Sequence, residues 1–310
     1  MTAAASAADL ERAAATLAAA RRVLLVGLGG ASAEVAVAAC DVAEAVGAVV
    51  DPGSPETSRT IGPLVARIGS VTAAGGELRD RADLVVLWFC DPGAVTAELA
   101  AAAGVARRTV AVGPRDVAVP GTEHRHLAIA ADAAIDLARL VEAAIRGVAI
   151  DASAADPGLL AAARDLAAAA LAATTVALVT DWRHDGVGLA AWSTASLVRA
   201  LAHRKPAFEI PLGERTDAAI DVCAWRFGAA GAIERAARSG GRFLPAEADA
   251  VRLIERREID CVLAVAATTP EVDAAVARAG RDLVVVRLAA DAAALRRLAA
   301  RIGDRRGPDA

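Results

Sequence analysis

One phrase occurs twice in this chain, and it limits the possible folds more than any other feature. Residues 76–92 read G-E-L-R-D-R-A-D-L-V-V-L-W-F-C-D-P, and residues 255–270 read E-R-R-E-I-D-C-V-L-A-V-A-A-T-T-P. In both, a charged helix end leads to an Asp (Asp83, Asp260), then an unbroken apolar run, then a turn closed by a Pro (Pro92, Pro270). An apolar run without alternation predicts a strand covered on both faces, as in a parallel sheet flanked by helices. Two such runs predict an α/β protein of two related, doubly wound lobes with mostly parallel sheets.

The rest of the chain fits that frame. Ala8–Ala20 has the pattern of an amphipathic helix. A strand at Val23–Val26, a turn at Gly27–Gly30, a helix over Ser32–Val46 and a strand starting at Val49-Val50 make a βαβ unit. Further strands are predicted at Leu84–Cys90, Thr109–Val112 and His126–Ala130, with a loop at Gly113–Pro120 and a helix over Asp132–Ile145 for which Asp132 is a candidate cap. Asp151–Gly158 carries Ser, two Asp and Pro and suits a linker, so the lobe boundary is expected there: residues 1–150 form the first lobe and 151–310 the second. The second lobe then holds a helix over Leu159–Ala172 and strands at Val176–Thr180, Phe208–Ile210, Ile220–Ala224, Cys261–Val265 and Leu283–Arg287, with a frayed tail after Arg301.

Composition narrows the function. The 310 residues are enough for two domains, each with its own core. Ala supplies much of the 56% hydrophobic fraction. The longest charge-free Ala-rich stretch, Leu166–Thr180, is too short and weakly apolar to span a membrane. Met1–Ala20 carries Asp9, Glu11 and Arg12 and lacks the basic start and apolar core of a secretory signal, so a cytoplasmic location is expected. The net charge of −4 and the lack of a basic stripe interleaved with aromatics argue against nucleic-acid binding. Cys40, Cys90, Cys223 and Cys261 form no C-x-x-C pair; Cys40 falls on a helical pattern and the others on or beside predicted strands. Buried free thiols are expected, not an iron–sulfur cluster.

Several motifs have two meanings. Gly27-Leu28-Gly29-Gly30-Ala31-Ser32 follows a strand and opens a helix, as a dinucleotide-binding loop does, and Asp51 stands where a ribose-binding acid would. Ser32 replaces the third glycine of that fingerprint, and a tight strand-to-helix turn is the other reading. His124-x-His126 on a strand puts two imidazoles on one face, for a metal or for a solvated edge. Asp181-Trp182-Arg183-His184-Asp185-Gly186 follows a strand at the carboxyl edge where open α/β sheets bind ligands; it is a functional loop or a surface loop anchored by Trp182. Ser193, Thr194 and Ser196 have no His or Asp partner in sequence. No catalytic, cofactor-binding or metal residue is therefore assigned.

The phrase R-A-D-L-V-V-L-W-F-C-D-P resembles the strand-and-turn segment of molybdopterin oxidoreductases. More narrowly, the chain resembles the B subunits of formylmethanofuran dehydrogenases, and within them those of the bacterial formyltransferase/hydrolase complexes of methylotrophs. The resemblance runs from Ala20 to Leu288 and is best over Asp51–Pro63, Gly76–Pro92 and Leu253–Pro270. It implies the fold of the central domains of molybdopterin oxidoreductases. In the dehydrogenases a Cys or selenocysteine within a Ser-x-Cys-His-Gly-Pro phrase holds a tungsten or molybdenum pterin. The matching phrase here is Ser58-Arg59-Thr60-Ile61-Gly62-Pro63, with Thr60 in place of the thiolate and Ile61 in place of the His. A Thr hydroxyl is a poor ligand for a soft metal. The dehydrogenases' His-Pro-Arg phrase after Asp91-Pro92 is Gly93-Ala-Val-Thr96 here, and their Cys-rich N-terminal cluster domain has no counterpart.

By this resemblance the chain is a non-catalytic subunit without cofactor or metal. It holds the hydrolase (A), formyltransferase (D) and C subunits of a complex that passes a formyl group from formyl-tetrahydromethanopterin to a methanofuran-type carrier and releases formate. The alternative is an active, molybdopterin-binding oxidoreductase subunit. Elemental analysis of the purified chain separates the two: no stoichiometric tungsten, molybdenum or iron is expected.

Overall fold

The computed structural model describes residues 6–52, 64, 67–90, 99, 104–151, 153, 155–181, 189–212, 217–234, 241–244 and 247–306. The chain forms two units, one from Met1–Arg67 with Glu214–Ala310 and the other from Ile68–Gly213. The first unit starts with α1 (Ala7–Ala19), β1 (Val23–Val26), α2 (Ala33–Val46) and β2 (Val49–Val50). The second contains α3 (Gly75–Arg81), β3 (Leu84–Trp88), β4 (Arg108–Gly113), β5 (Glu123–Ala128), α4 (Ala134–Arg146), α5 (Pro157–Ala172), β6 (Val176–Asp181), α6 (Leu189–Ala202) and β7 (Ala207–Leu212). The chain then returns to the first unit with α7 (Asp217–Phe227), β8 (Ile233–Glu234), β9 (Arg242–Phe243), α8 (Ala250–Glu255), β10 (Cys261–Val265), α9 (Pro270–Ala279), β11 (Val284–Leu288) and α10 (Ala292–Arg306).

Each unit is built on one sheet. The second unit's sheet is wholly parallel, in the order β5-β4-β3-β6-β7. The first unit's sheet has the order β11-β10-β1-β2-β8-β9, parallel from β11 to β2 and antiparallel in the β2–β8 and β8–β9 pairs. Every residue of β1, β3 and β10 is buried, as their unbroken apolar runs predict. Their side chains divide between two cores, one on each sheet face. Leu84, Val86 and Trp88 join one in the second unit, and Val85 and Leu87 the other. In the first unit Cys261, Leu263 and Val265 join one core, and Val262 and Ala264 the other. The fold is α/β with two mostly parallel, doubly wound sheets. Among the described residues no helix is long and apolar enough to cross a membrane.

Three sequence expectations change. The division expected at residue 150 falls inside the second unit, because β6 lies beyond it and pairs with β3 from Leu84↔Val176 to Trp88↔Thr180. The polar segment before α5 marks a helix start: the Asp156 carboxylate accepts the amide of Leu159 at 2.8 Å, with Pro157 in the first turn. Ile220–Ala224 is helical, within α7. Ala219, Cys223 and Phe227 recur at helical spacing and, with Val222, join the first unit's core, so packing overrides the strand preference of Ile220 and Val222. Asp132 lies in a short 3-10 turn, and no side chain caps α4.

The repeated phrase does the same work in both units. Asp83 accepts the amides of Thr174 (2.8 Å) and Thr175 (2.7 Å), the two residues before β6. Asp260 accepts the amides of Arg21 and Arg22, the two residues before β1, at 2.9 Å each. On the other side the Arg108 amide donates to the Asp83 carbonyl (2.9 Å) and the Val284 amide to the Asp260 carbonyl (3.1 Å). After the strands, Phe89 (φ 48°) and Ala266 (φ 60°) are both left-handed. They donate to the carbonyls of Val112 (2.8 Å) and Leu288 (3.2 Å). Asp83 thus corresponds to Asp260, Phe89 to Ala266, β4 to β11 and β6 to β1.

Partial burial pushes both carboxyls up, but the amide donors outweigh it and hold both below the ordinary Asp range. A depressed folded pKa means stability that is present above about pH 4 and lost as pH falls through the folded value. Asp83→Ala or Asp260→Ala is expected to cost about 1–3 kcal/mol at neutral pH, because two amides lose a charged acceptor. Urea unfolding from neutral pH down to about pH 3 checks this, and each variant should lose less stability on acidification than the parent chain.

Candidate functional site

Open α/β sheets bind ligands at the carboxyl ends of their strands, where the strand order reverses. In the second unit that point lies between β3 and β6, at Phe89-Cys90 and Thr180-Asp181. A left-handed Phe costs roughly 1–2 kcal/mol, so its position at this edge is imposed by the surrounding packing. Its ring stands edge-on to Trp88 at 5.5 Å, and the Cys90 thiol donates to the Val179 carbonyl at 3.2 Å.

Behind this edge lies a carboxylate that sequence reasoning missed. Glu209 sits inside β7, fully buried. It accepts the hydroxyls of Thr180 and Thr194 at 2.9 Å each and that of Ser70 at 3.4 Å. The network fixes Thr180, and with it the backbone that delivers Asp181 to the strand end. Its one signal in sequence was a lone acid in the middle of a strand. Arg107 is a second missed group: 5% exposed, it donates to the carbonyls of Leu78, Arg79, Ala82 and Leu99 and so closes the carboxyl end of α3.

The hydroxyls that sequence left without partners serve the fold. Ser193 donates to the Ala190 carbonyl at 2.7 Å, Thr194 to Ala191 and Glu209, and Ser196 to Glu142 at 3.0 Å. None of these acceptors is an imidazole; two are backbone carbonyls and two are the carboxylates of Glu209 and Glu142. The two histidines of His124-x-His126 turn to separate partners, His124 to the Asp116 carboxylate (2.6 Å) and His126 to the Gly113 carbonyl (2.9 Å). Among the described residues no three His, Cys, Asp or Glu side chains are grouped to hold a metal. An open groove of about 460 Å³ lies beside β5, lined by His126, Ile129, Ala130, Asp156 and Leu159. Its two polar side chains are engaged, His126 with Gly113 and Asp156 with the α5 amide.

In the first unit the order reverses between β1 and β10. Three of the residues that suggested a dinucleotide have structural tasks there. Gly27 has φ 81°, and a Cβ on it would lie 2.5 Å from the Val265 carbonyl oxygen, so a glycine is required for the two turns to approach. The Ser32 hydroxyl caps α2 by accepting the Val35 amide at 3.4 Å. Asp51 points inward, is fully buried and accepts the Ala250 amide at 2.8 Å. That orientation corrects its reading as a ribose ligand.

Two of the thiols, Cys223 and Cys261, are held protonated. The neighbouring Cys40 thiol and burial push Cys223 well above the ordinary range. Burial and the adjacent Asp260 push Cys261 up to about 11. Thiolates are the metal-binding and nucleophilic form, so Cys223 and Cys261 do not fit a thiolate-ligated metal. Cys223 lies on a helix, not on the strand expected for it. Ser58–Pro63 with Thr60, Asp91–Thr96, and Trp182–Gly186 with His184 lie outside the described residues.

The Glu209 network gives a direct test. Glu209→Ala is expected to cost on the order of 3 kcal/mol, because buried hydroxyls lose their acceptor. Thr180→Val should cost about 1 kcal/mol. The double variant should cost less than the sum in urea unfolding, since both changes break one bond.

No protein-family model matches the chain, and none of the curated proteins does. Among solved structures, the chain is similar to a chain of the formyltransferase/hydrolase complex (FhcABCD) from Methylorubrum extorquens, solved in complex with methylofuran. The two are 28% identical with a TM-score of 0.64, over 91% of this chain and 78% of that one. In sequence and in fold, this chain is therefore related to a component of that multisubunit complex.

Proposed function

We propose that this chain is the structural B subunit of a formyltransferase/hydrolase complex of one-carbon metabolism. The observation that carries the proposal is the likeness to a chain of such a complex over 91% of this chain. In this reading the hydrolase (A), formyltransferase (D) and C subunits assemble on it in the cytoplasm. The complex passes a formyl group from formyl-tetrahydromethanopterin to a methanofuran-type carrier and hydrolyses it to formate. Transfer and hydrolysis belong to the partners.

Three features support the structural role. The phrase that holds a pterin metal in related dehydrogenases has Thr60 and Ile61 in place of Cys and His. The Cys90 thiol and the hydroxyls of Thr180, Ser193 and Thr194 bond to this chain's own backbone and carboxylates, those of Thr180 and Thr194 to Glu209. The surface also carries a large aromatic suited to a partner: Trp225 on α7 is 72% exposed. The Arg226 guanidinium lies 5.9 Å from its ring and is anchored by Asp41 (2.9 Å) and Glu44 (2.6 Å). Trp and Arg are enriched in protein interfaces.

Co-expression with and without this chain tests the proposal. Without it, assembly and formylhydrolase activity should fall together. With it, Thr60→Ala and Asp181→Ala should leave turnover within about twofold of the parent, well short of the 10²-fold loss typical of a removed catalytic group. A fully active complex assembled without this chain overturns the structural role. A 10²-fold loss from Thr60→Ala alone, with assembly intact, moves the active oxidoreductase reading to first place.

A further inference from the structure

Among the described residues, the correspondence between the two units leaves one place in the first unit's sheet without a strand. In the second unit β4 has β3 on one side and β5 on the other. The Arg108 amide bonds to Asp83, so Thr109 and Ala111 point their backbone groups outward, where they lie in register with His124 and His126 of β5. Hydrogen bonds from the Glu123 amide to the Arg107 carbonyl and from the Ile129 amide to the Gly113 carbonyl bracket that pairing, at 3.2 Å each. In the first unit β11 takes the place of β4. The Val284 amide bonds to Asp260 and the Leu288 carbonyl accepts the Ala266 amide, so residues 284, 286 and 288 face β10. Val285 and Arg287 therefore point their N–H and C=O groups outward, as Thr109 and Ala111 do. Among the described residues no strand meets them: β11 ends the sheet.

The other sheet edges are protected against strand addition and β11 is not. β5 carries Glu123, His124, Arg125 and His126, and Arg125 is tied to Asp165 at 2.8 Å. β7 is covered by the segment before α3: Thr72 bridges to Glu209, whose amide donates to the Val71 carbonyl at 2.7 Å. β9 is only two residues long. Short length, charge and cover are the usual ways to blunt an edge. β11 reads Val-Val-Val-Arg-Leu, with Val284 49% exposed. Its one charge is drawn back into its own unit, where Arg287 pairs with Asp273 at 3.0 Å.

We propose that β11 pairs antiparallel with β11 of a second copy of this chain, about a two-fold axis at Val286, joining two first-unit sheets into one. The occupant follows from the register. A two-fold at Val286 sets Val285 opposite Arg287 of the second copy, so the four outward-pointing residues meet as hydrogen-bonded pairs. It sets Val284 opposite Leu288 and Val286 opposite itself, on the sheet face where Val286 and Leu288 already pack against the core. A two-fold at Arg287 would place like charges directly opposite, which destabilises a strand pair. The Val286 register avoids that and is self-complementary, as an isologous contact must be. The inference rests on the edge geometry of the first unit and is independent of the subunit role proposed above.

Sedimentation velocity on the full chain, from about 1 to 100 μM, reads the association by mass action. A dimer is expected within that range. Val285→Pro removes an outward N–H and leaves the β10 ladder its bonds, a place where an edge strand tolerates Pro. It should weaken the dimer about tenfold or more. Val286→Cys tests the register, since directly opposed residues of a non-hydrogen-bonded pair lie within disulfide reach. With oxidised glutathione it should give a dimer whose mapped cross-link joins residue 286 to residue 286. A chain monomeric throughout the range, or a dimer that keeps its affinity in a folded Val285→Pro variant, overturns the proposal. So does a dimer whose Val286→Cys variant forms no such link; should Val285→Pro fail to fold, this cross-link decides alone.

Discussion

A strand at the centre of a parallel sheet begins with backbone amides that its neighbours' ladders do not reach. Left unpaired in a half-buried place, each such amide costs free energy comparable to a lost hydrogen bond. This chain meets that constraint twice with one device, an Asp immediately before a buried strand. Asp83 gathers the amides before β6 and Asp260 those before β1. Because the acceptor is ionised, the bonds are stronger than neutral ones. Each Asp also decides which strand lies beside its own. The rest of each unit follows from that choice: the next strand on the far side, the left-handed residue at the strand's end, and the edge where the order reverses.

These clasps join distant parts of the chain. Asp83 reaches residues 91 and 92 positions away, and Asp260 reaches residues 239 and 238 positions away. The first unit is thus closed by a bond between the beginning and the end of the described chain, while the second unit is inserted between the two. The buried polar groups elsewhere obey the same economy of unsatisfied bonds. Arg107 ends α3, Asp51 holds the start of α8, and Glu209 collects three hydroxyls behind the carboxyl edge of β6. Groups that could have served chemistry are bound into the scaffold.

That distribution bears on function. Fold alone does not assign an activity, and doubly wound sheets carry many. Here the likeness to a chain of the FhcABCD complex supplies the context, and the committed hydroxyls and protonated thiols suit a component that supports partners. The structural role proposed above would act through surfaces, and two surface features among the described residues suit it. One is Trp225, held in place through Arg226; the other is the apolar edge strand β11.

Much of the fold was legible in the sequence because it is written in local pattern. Unbroken apolar runs marked β1, β3, β6 and β10 as doubly covered strands, and the twice-used Asp-strand-turn phrase marked two related units. Asp181 at a strand end was legible for the same reason. The partners of Asp83 and Asp260, the strand order and the assignment of residues 214–310 to the first unit were not, since each depends on contacts between residues far apart in the chain. The same holds for Ile220–Ala224, where β-branched residues suggested a strand and burial of one helical face made α7, and for Glu209, a lone acid whose hydroxyl donors come from three separate segments. Local sequence by itself determined which segments are buried on both faces, because burial selects side chains residue by residue. Only the tertiary structure decided which segments lie together, because satisfying a backbone amide or a buried carboxylate takes a partner that the local sequence does not contain.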